Sequence, residues 1–146
     1  MRRASIGELK FHAPNTLAIH IASSVTGLPG RDSWPIDFRV TLPCWNALSC
    51  LGHFLWSKAL LKFPNLRIAL SEGGTSWIPG FLDRMERHYE NQKWTGADLG
   101  GRTPTEVFRD HFLACFICDP SGLLLRDRIG IDNIAYEVDY PHSDCT

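Results

Sequence analysis

A carboxylate at the end of a short apolar run is the group in this chain best placed to do chemistry. Ile134 to Val138 reads as a buried strand, and Tyr140-Pro141 stops it, leaving Asp139 at the strand's C-terminal tip. Proline donates no ladder hydrogen bond and pushes the residue before it into extended geometry. Two earlier strand-like runs end in a similar way, with His20 in LAIHIASS and Glu72 in RIALSEGG. In open α/β sheets and (β/α) barrels, ligands and metals are held at such tips, where the loops converge on the crevice outside the strand ends. An aspartate there can ligate a metal and serve as a general base, and a histidine can ligate as well. Each residue also has a plainer reading: Asp139 as a loop or cap carboxylate, His20 as a satisfied core histidine, and Glu72 as a cap of the following helix. His142 could stand behind the ligands, with Trp77 as a pocket wall. His12, His53, His88 and His111 fall in expected helices or loops and receive no role.

The elements that must bring these tips together follow in alternation. Thr16 to Ser23 is apolar and β-compatible, and a long loop rich in Gly, Pro and Asp follows over residues 24–43. Leu48, Leu51, Leu55, Ala59 and Leu61 recur at helical spacing between Cys44 and Phe63, before Pro64 ends the run. Leu66 to Leu70 is the next strand, and Gly73-Gly74 gives the tight turn into a helix marked by Ile78, Phe81, Leu82, Met85 and Tyr89. Thr103-Pro104-Thr105-Glu106 has the form of a capping box with proline at the first helical position. Phe112 to Ile117 is a third strand, Asp119-Pro120 caps a further helix ending near Arg126, Arg128 and Gly130, and Ile134 to Val138 is the fourth strand. The order β, α, β, α, β, α, β is that of a parallel sheet with crossover helices.

Composition narrows the class. The 146 residues are 44% hydrophobic and 21% charged, enough for a buried core in one domain spanning 1–146, with residues 1–15 as an N-terminal extension. The formal net charge is -1 with both signs scattered, which speaks against a nucleic-acid surface or an acidic-lipid anchor. The start lacks the continuous apolar stretch of a signal peptide, and the most apolar region, Leu51 to Leu61, is interrupted by His53 and Lys58, so a cytoplasmic, non-membrane protein is expected. Of the five cysteines only Cys115 and Cys118 have a motif-like spacing. A strand would turn positions three apart to opposite faces, which favours inert thiols over a metal pair.

Several of these stretches resemble one family. Phe63-Pro64-Asn65-Leu66-Arg67-Ile68-Ala69-Leu70-Ser71-Glu72-Gly73-Gly74, then Trp77-Ile78-Pro79, then Gly130-Ile131-Asp132-Asn133-Ile134 through Asp139-Tyr140-Pro141-His142 are similar to the C-terminal half of amidohydrolase-related proteins. The branch is the one that includes aminocarboxymuconate-semialdehyde decarboxylase, and the closing DYPH is the most specific piece. The resemblance implies a partial (β/α) barrel of the TIM type, about strands five to eight with their helices. It implies a metal-dependent hydrolase or carboxy-lyase that uses a divalent ion, zinc or manganese, on a small carboxylated substrate. In that role His20 and Asp139 would ligate the ion, Asp139 would take a proton from bound water, and Glu72, His142 and Trp77 would face the substrate or support the ligands. The family usually has histidine where Glu72 stands, and a first-strand His-x-His pair that does not occur here. A chain lacking those ligands has an alternative fate, a non-catalytic remnant or a half-barrel that assembles with itself or with another polypeptide. Half a barrel would leave edges at Thr16 to Ser23 and Ile134 to Val138, and would show water an apolar sheet face drawn from alternate residues of Leu66 to Leu70 and Phe112 to Ile117.

Overall fold

The computed structural model of the chain describes residues 16–20 and 35–141, and of residues 20, 39, 40 and 43 the backbone only. Four strands, β1 (Thr16–His20), β2 (Arg67–Ser71), β3 (Phe112–Phe116) and β4 (Ile134–Tyr136), form one parallel sheet in the order β1-β2-β3-β4. The expected alternation is therefore present, and β1 and β4 are its edges. The long loop expected over 24–43 lies partly outside the described residues, but its end contains a short helix, α1 (Ile36–Val40). The helix expected from Cys44 to Phe63 is two helices, α2 (Pro43–Trp56) and α3 (Ala59–Lys62). The break lies at Ser57, whose backbone is extended and whose hydroxyl donates to Phe54 O and accepts from Ala59 N, replacing helical hydrogen bonds with local ones.

The connections after β2 and β3 are helical. Helix α4 (Ile78–Asn91) follows β2, and α5 (Pro104–His111) leads into β3 behind the expected capping box, with Thr103 Oγ1 accepting from Glu106 N and the Glu106 side chain accepting from Thr103 N. Two short helices, α6 (Pro120–Leu124) and α7 (Arg126–Ile129), carry the chain to β4. One sheet face, with Ile68, Leu70, Phe112 and Ala114, packs on Leu51, Leu55, Ile78, Leu82 and Phe108 of the helices. Phe108 and Phe112 stack with ring centres 5.8 Å apart. No helix among the described residues is long and apolar enough to cross a membrane.

The opposite sheet face differs from expectation. Ala69, Leu113 and Cys115 on it are buried, so β2 and β3 do not show water an apolar surface. Its side chains are mostly small, Ala135 packs beside them, and the carboxyl of Glu137 turns back over the tip end to Ser71. Exposure in the sheet is confined to the edge strands, at Leu17 and Ala18 of β1 and Tyr136 of β4.

Two buried polar groups tie the N-terminal end of the sheet. Asn133 Nδ2 donates to Arg109 O and Phe112 O, both at 2.8 Å. His111, assigned no role from sequence, is buried with Nδ1 2.8 Å from Leu66 O and Nε2 3.2 Å from an Arg102 guanidinium nitrogen. A carbonyl can only accept and a guanidinium can only donate, so Nδ1 carries the proton and the ring is neutral. Burial first, then the Arg102 and Arg67 charges, lower its pKa from the ordinary value, against the opposing Leu66 hydrogen bond and Asp110. A lowered folded pKa means that the unfolded chain binds the proton first. This stability is fully present above about pH 6.5, the unfolded value, and is lost as pH falls through the folded one. His111→Gln, which does not titrate, is expected to flatten the fall in denaturant midpoint below about pH 6.5, as read by urea unfolding at a series of pH values.

Candidate functional site

The C-terminal ends of β2, β3 and β4 are tied together by side chains from their exit loops. After β2 the chain turns at Glu72 (φ 58°) and Gly74 (φ 66°), and Gly74 N donates to Cys115 O at 3.1 Å. Left-handed backbone suits glycine but costs a residue such as glutamate about 1 kcal/mol. At Glu72 the conformation is held by its own N–H, which donates to Glu137 Oε2 at 2.6 Å. The second oxygen, Glu137 Oε1, accepts from Ser71 Oγ at 2.6 Å. Glu137 is buried, and its backbone N–H donates to Phe116 O, so pairing with β3 runs one residue past β4.

Asp119 makes the second tie. Its Oδ2 accepts from Thr75 N at 2.6 Å, Ser76 N at 2.7 Å and Thr75 Oγ1 at 3.1 Å, while Oδ1 accepts from Gly122 N at 2.9 Å. It therefore caps its own helix α6 and occupies the donors leading into α4, which are not left for a substrate anion. Burial by itself would raise the Asp119 carboxyl, but the hydrogen bonds from Thr75 N, Gly122 N, Ser76 N and the Thr75 hydroxyl outweigh it and hold the group below the usual carboxylate range. Only glycine fits at 122, since a Cβ there would collide with Thr75 Oγ1 and lie 2.8 Å from Asp119 Oδ2.

The residues expected from sequence fall as follows. His20 is the last residue of β1 and its backbone is level with Ser71, while its side chain lies outside the described residues. Glu72 is half-buried immediately after β2. Asp139 is half-buried in the exit loop of β4, also left-handed at φ 51°. The strand before it stops at Tyr136 instead of Val138, so Asp139 stands three residues beyond the end of β4. Trp77 donates its indole N–H to Gly73 O at 2.9 Å and leans on Phe81 and the helix-side core. His142 lies outside the described residues. Cys115 is buried, and Cys118 is exposed beyond the end of β3.

Glu137 is hidden from a reading of sequence because it falls within a run that looks like strand. A lone glutamate inside an apolar stretch is the available signal. The local cap by Asp119 is legible, but its grip on Thr75 and Ser76 is not.

An imidazole and carboxylates are donors suited to zinc or manganese. Among the described residues, however, no three His, Cys, Asp or Glu side chains lie close enough to share an ion, and both Glu137 oxygens are directed to protein donors. The described donors do not make up a metal shell by themselves.

Neither a family model nor a curated protein matches the sequence. Among solved structures, the 5-carboxyvanillate decarboxylase LigW from Sphingomonas paucimobilis is similar with a TM-score of 0.52 at 24% identity, over 75% of this chain and 31% of that one. The likeness shows the fold, a mixed α/β chain around a parallel sheet, and the structural neighbour is a decarboxylase. This chain spans less than a third of its length.

Because the folded Asp119 carboxyl is lowered, its stabilisation is fully present above about pH 4, the unfolded value, and is lost as pH falls through the folded one. Asp119→Asn, which turns an amide N–H₂ toward donors, is expected to cost roughly 1–3 kcal/mol near neutrality. Chemical denaturation should show the gap to the unaltered protein narrowing in acid.

Proposed function

We propose that the chain is the C-terminal part of an amidohydrolase-type (β/α) barrel and that its strand ends serve a carboxy-lyase or hydrolase acting on a small carboxylated ring compound. The observation that carries this reading is the gathering of Glu72, Glu137 and Asp139 at one end of sequentially ordered parallel strands, in a fold shared with a decarboxylase. The sequence resemblance through DYPH supports the same class.

Asp139 is the residue assigned the proton transfer. It is half-buried just past a strand end, where a carboxylate keeps contact with both solvent and a bound ligand. Glu72 is assigned to substrate contact from the neighbouring loop, with His142 supporting Asp139 and Trp77 bounding the site. The divalent ion belongs to this proposal, with His20 and Asp139 as its donors in this chain. When bound, such an ion would polarise a carboxylate or make water more acidic. The loops after β2, β3 and β4, residues 71–77, 117–121 and 137–141, contain no lysine or arginine. A substrate carboxylate would therefore need a cation from elsewhere, and the ion would supply one.

The test is an assay of the full chain, loaded with zinc or manganese, on 5-carboxyvanillate and related aryl carboxylates and esters, following loss of the carboxyl group and ester cleavage separately. Turnover is expected, falling by roughly a hundredfold or more in Asp139→Asn. A loaded, folded chain that leaves every compound unchanged would rule out autonomous activity.

A second reading is favoured by the edges: β1 and β4 each have one paired side in this sheet, and Leu17 on β1 is exposed. Sheet completion by a second copy or by another polypeptide would cover them. Light scattering across a concentration series should then show self-association of the purified chain, and a monomer at every concentration would remove the self-paired form.

A further inference from the structure

We infer that Glu137 is a positioning residue of this site, fixing the left-handed turn at Glu72 and with it the placement of Asp139 relative to Glu72. This role presupposes that the strand ends are a reaction site.

Three donors from two other strands meet this one carboxylate. Ser71 Oγ and Glu72 N reach separate oxygens at 2.6 Å each, and the Cys115 thiol is a third partner. Burial, and then the charge and hydrogen bond of Glu137, push the Cys115 thiol far above its ordinary pKa, so it stays protonated and can donate. An acceptor-only group answers this arrangement, whereas glutamine would present an N–H₂ to one of the donors. With both oxygens so engaged, Glu137 is turned to the protein and not to a ligand, which separates positioning from catalysis.

The position of Glu137 between two strained residues gives the clamp its consequence. Glu72 and Asp139 are the non-glycine residues with positive φ among those described, at 58° and 51°. One is bonded to Glu137 across the sheet, and the other stands two residues further along its own loop. Such conformations persist where the surroundings over-determine them. Here one buried carboxylate joins both loops, and the 2.9 Å bond from Glu137 N to Phe116 O anchors its own backbone to β3. A shift of this side chain would be transmitted to both flanking acids.

The test uses the full chain labelled with 15N and 13C and needs no substrate. In the unaltered protein the Glu72 amide should exchange slowly and resonate far downfield, as a short bond to a carboxylate requires. In Glu137→Gln its exchange should quicken by roughly ten- to a hundredfold, the factor for one lost charge-assisted hydrogen bond. The Asp139 amide resonance should move, because its loop shares the clamp, while the Thr75 and Ser76 amides, held by Asp119, keep their positions. If Glu137→Gln does not fold, Ser71→Ala removes one donor and keeps the Glu72 bond, and a smaller displacement of the Asp139 amide resonance is expected. An unchanged Glu72 amide in Glu137→Gln would overturn the proposal. So would a foldable variant, of either kind, that loses thermal stability while the Asp139 amide keeps its position. Failure of the unaltered chain in the carboxy-lyase assay would instead count against the proposed function, and these two readouts would still decide the role of Glu137.

Discussion

The exit of β2 depends on acceptors that lie far away in the chain. Glu72 N is held by Glu137, 65 residues on, Thr75 N by Asp119, 44 residues on, and Ser76 N by the same Asp119, 43 residues on. Gly74 N between them goes to Cys115 O. A turn that leaves a strand and enters a helix within a few residues exposes a run of backbone donors, and each must find a partner when water is excluded. Here the partners are two carboxylates and a carbonyl from the exits of β3 and β4. The tip of the sheet is thus one hydrogen-bonded unit instead of three independent loops.

The two ends of the sheet solve the same problem with different chemistry. At the N-terminal end neutral groups suffice: His111 donates to Leu66 O, and Asn133 donates to Arg109 O and Phe112 O. The groups in need there are the carbonyls of Leu66, Arg109 and Phe112, so donors answer them. At the C-terminal end the groups in need are N–H donors and the Ser71 hydroxyl, and anionic acceptors answer those with shorter, stronger bonds. A buried carboxylate without donors would cost several kcal/mol, so these acids persist because their lone pairs are used. The same need places negative charge at the end of the sheet where parallel α/β folds hold their ligands.

Burial on both faces of β2 and β3 separates this sheet from a simple half-open one. Central parallel strands that bury both faces read as continuous apolar runs, as Phe112 to Phe116 does. Apart from Leu113, the residues of the face away from the helices are small, Ala69, Cys115 and Ala135, which limits the apolar area that could meet water.

By itself the sequence determined the alternation of strands and helices, the capping box at Thr103, the local cap at Asp119 and the placement of Glu72 and Asp139 after strand ends. Each of these rests on short-range signals, on periodicity, or on glycine and proline chemistry acting within a few residues. The break at Ser57 is not legible there, because it turns on the two hydrogen bonds of one hydroxyl that no hydrophobic pattern encodes, and neither is the stop of β4 at Tyr136. Only the tertiary structure decided that Glu137 is the buried acid of the cluster, that Asp119 serves two helices, and that His111 is a neutral tie between strands. Those roles belong to pairs 43 to 66 residues apart, and which donor meets which acceptor is fixed by strand register and by the need to satisfy every buried polar group, not by the identity of neighbours in the chain.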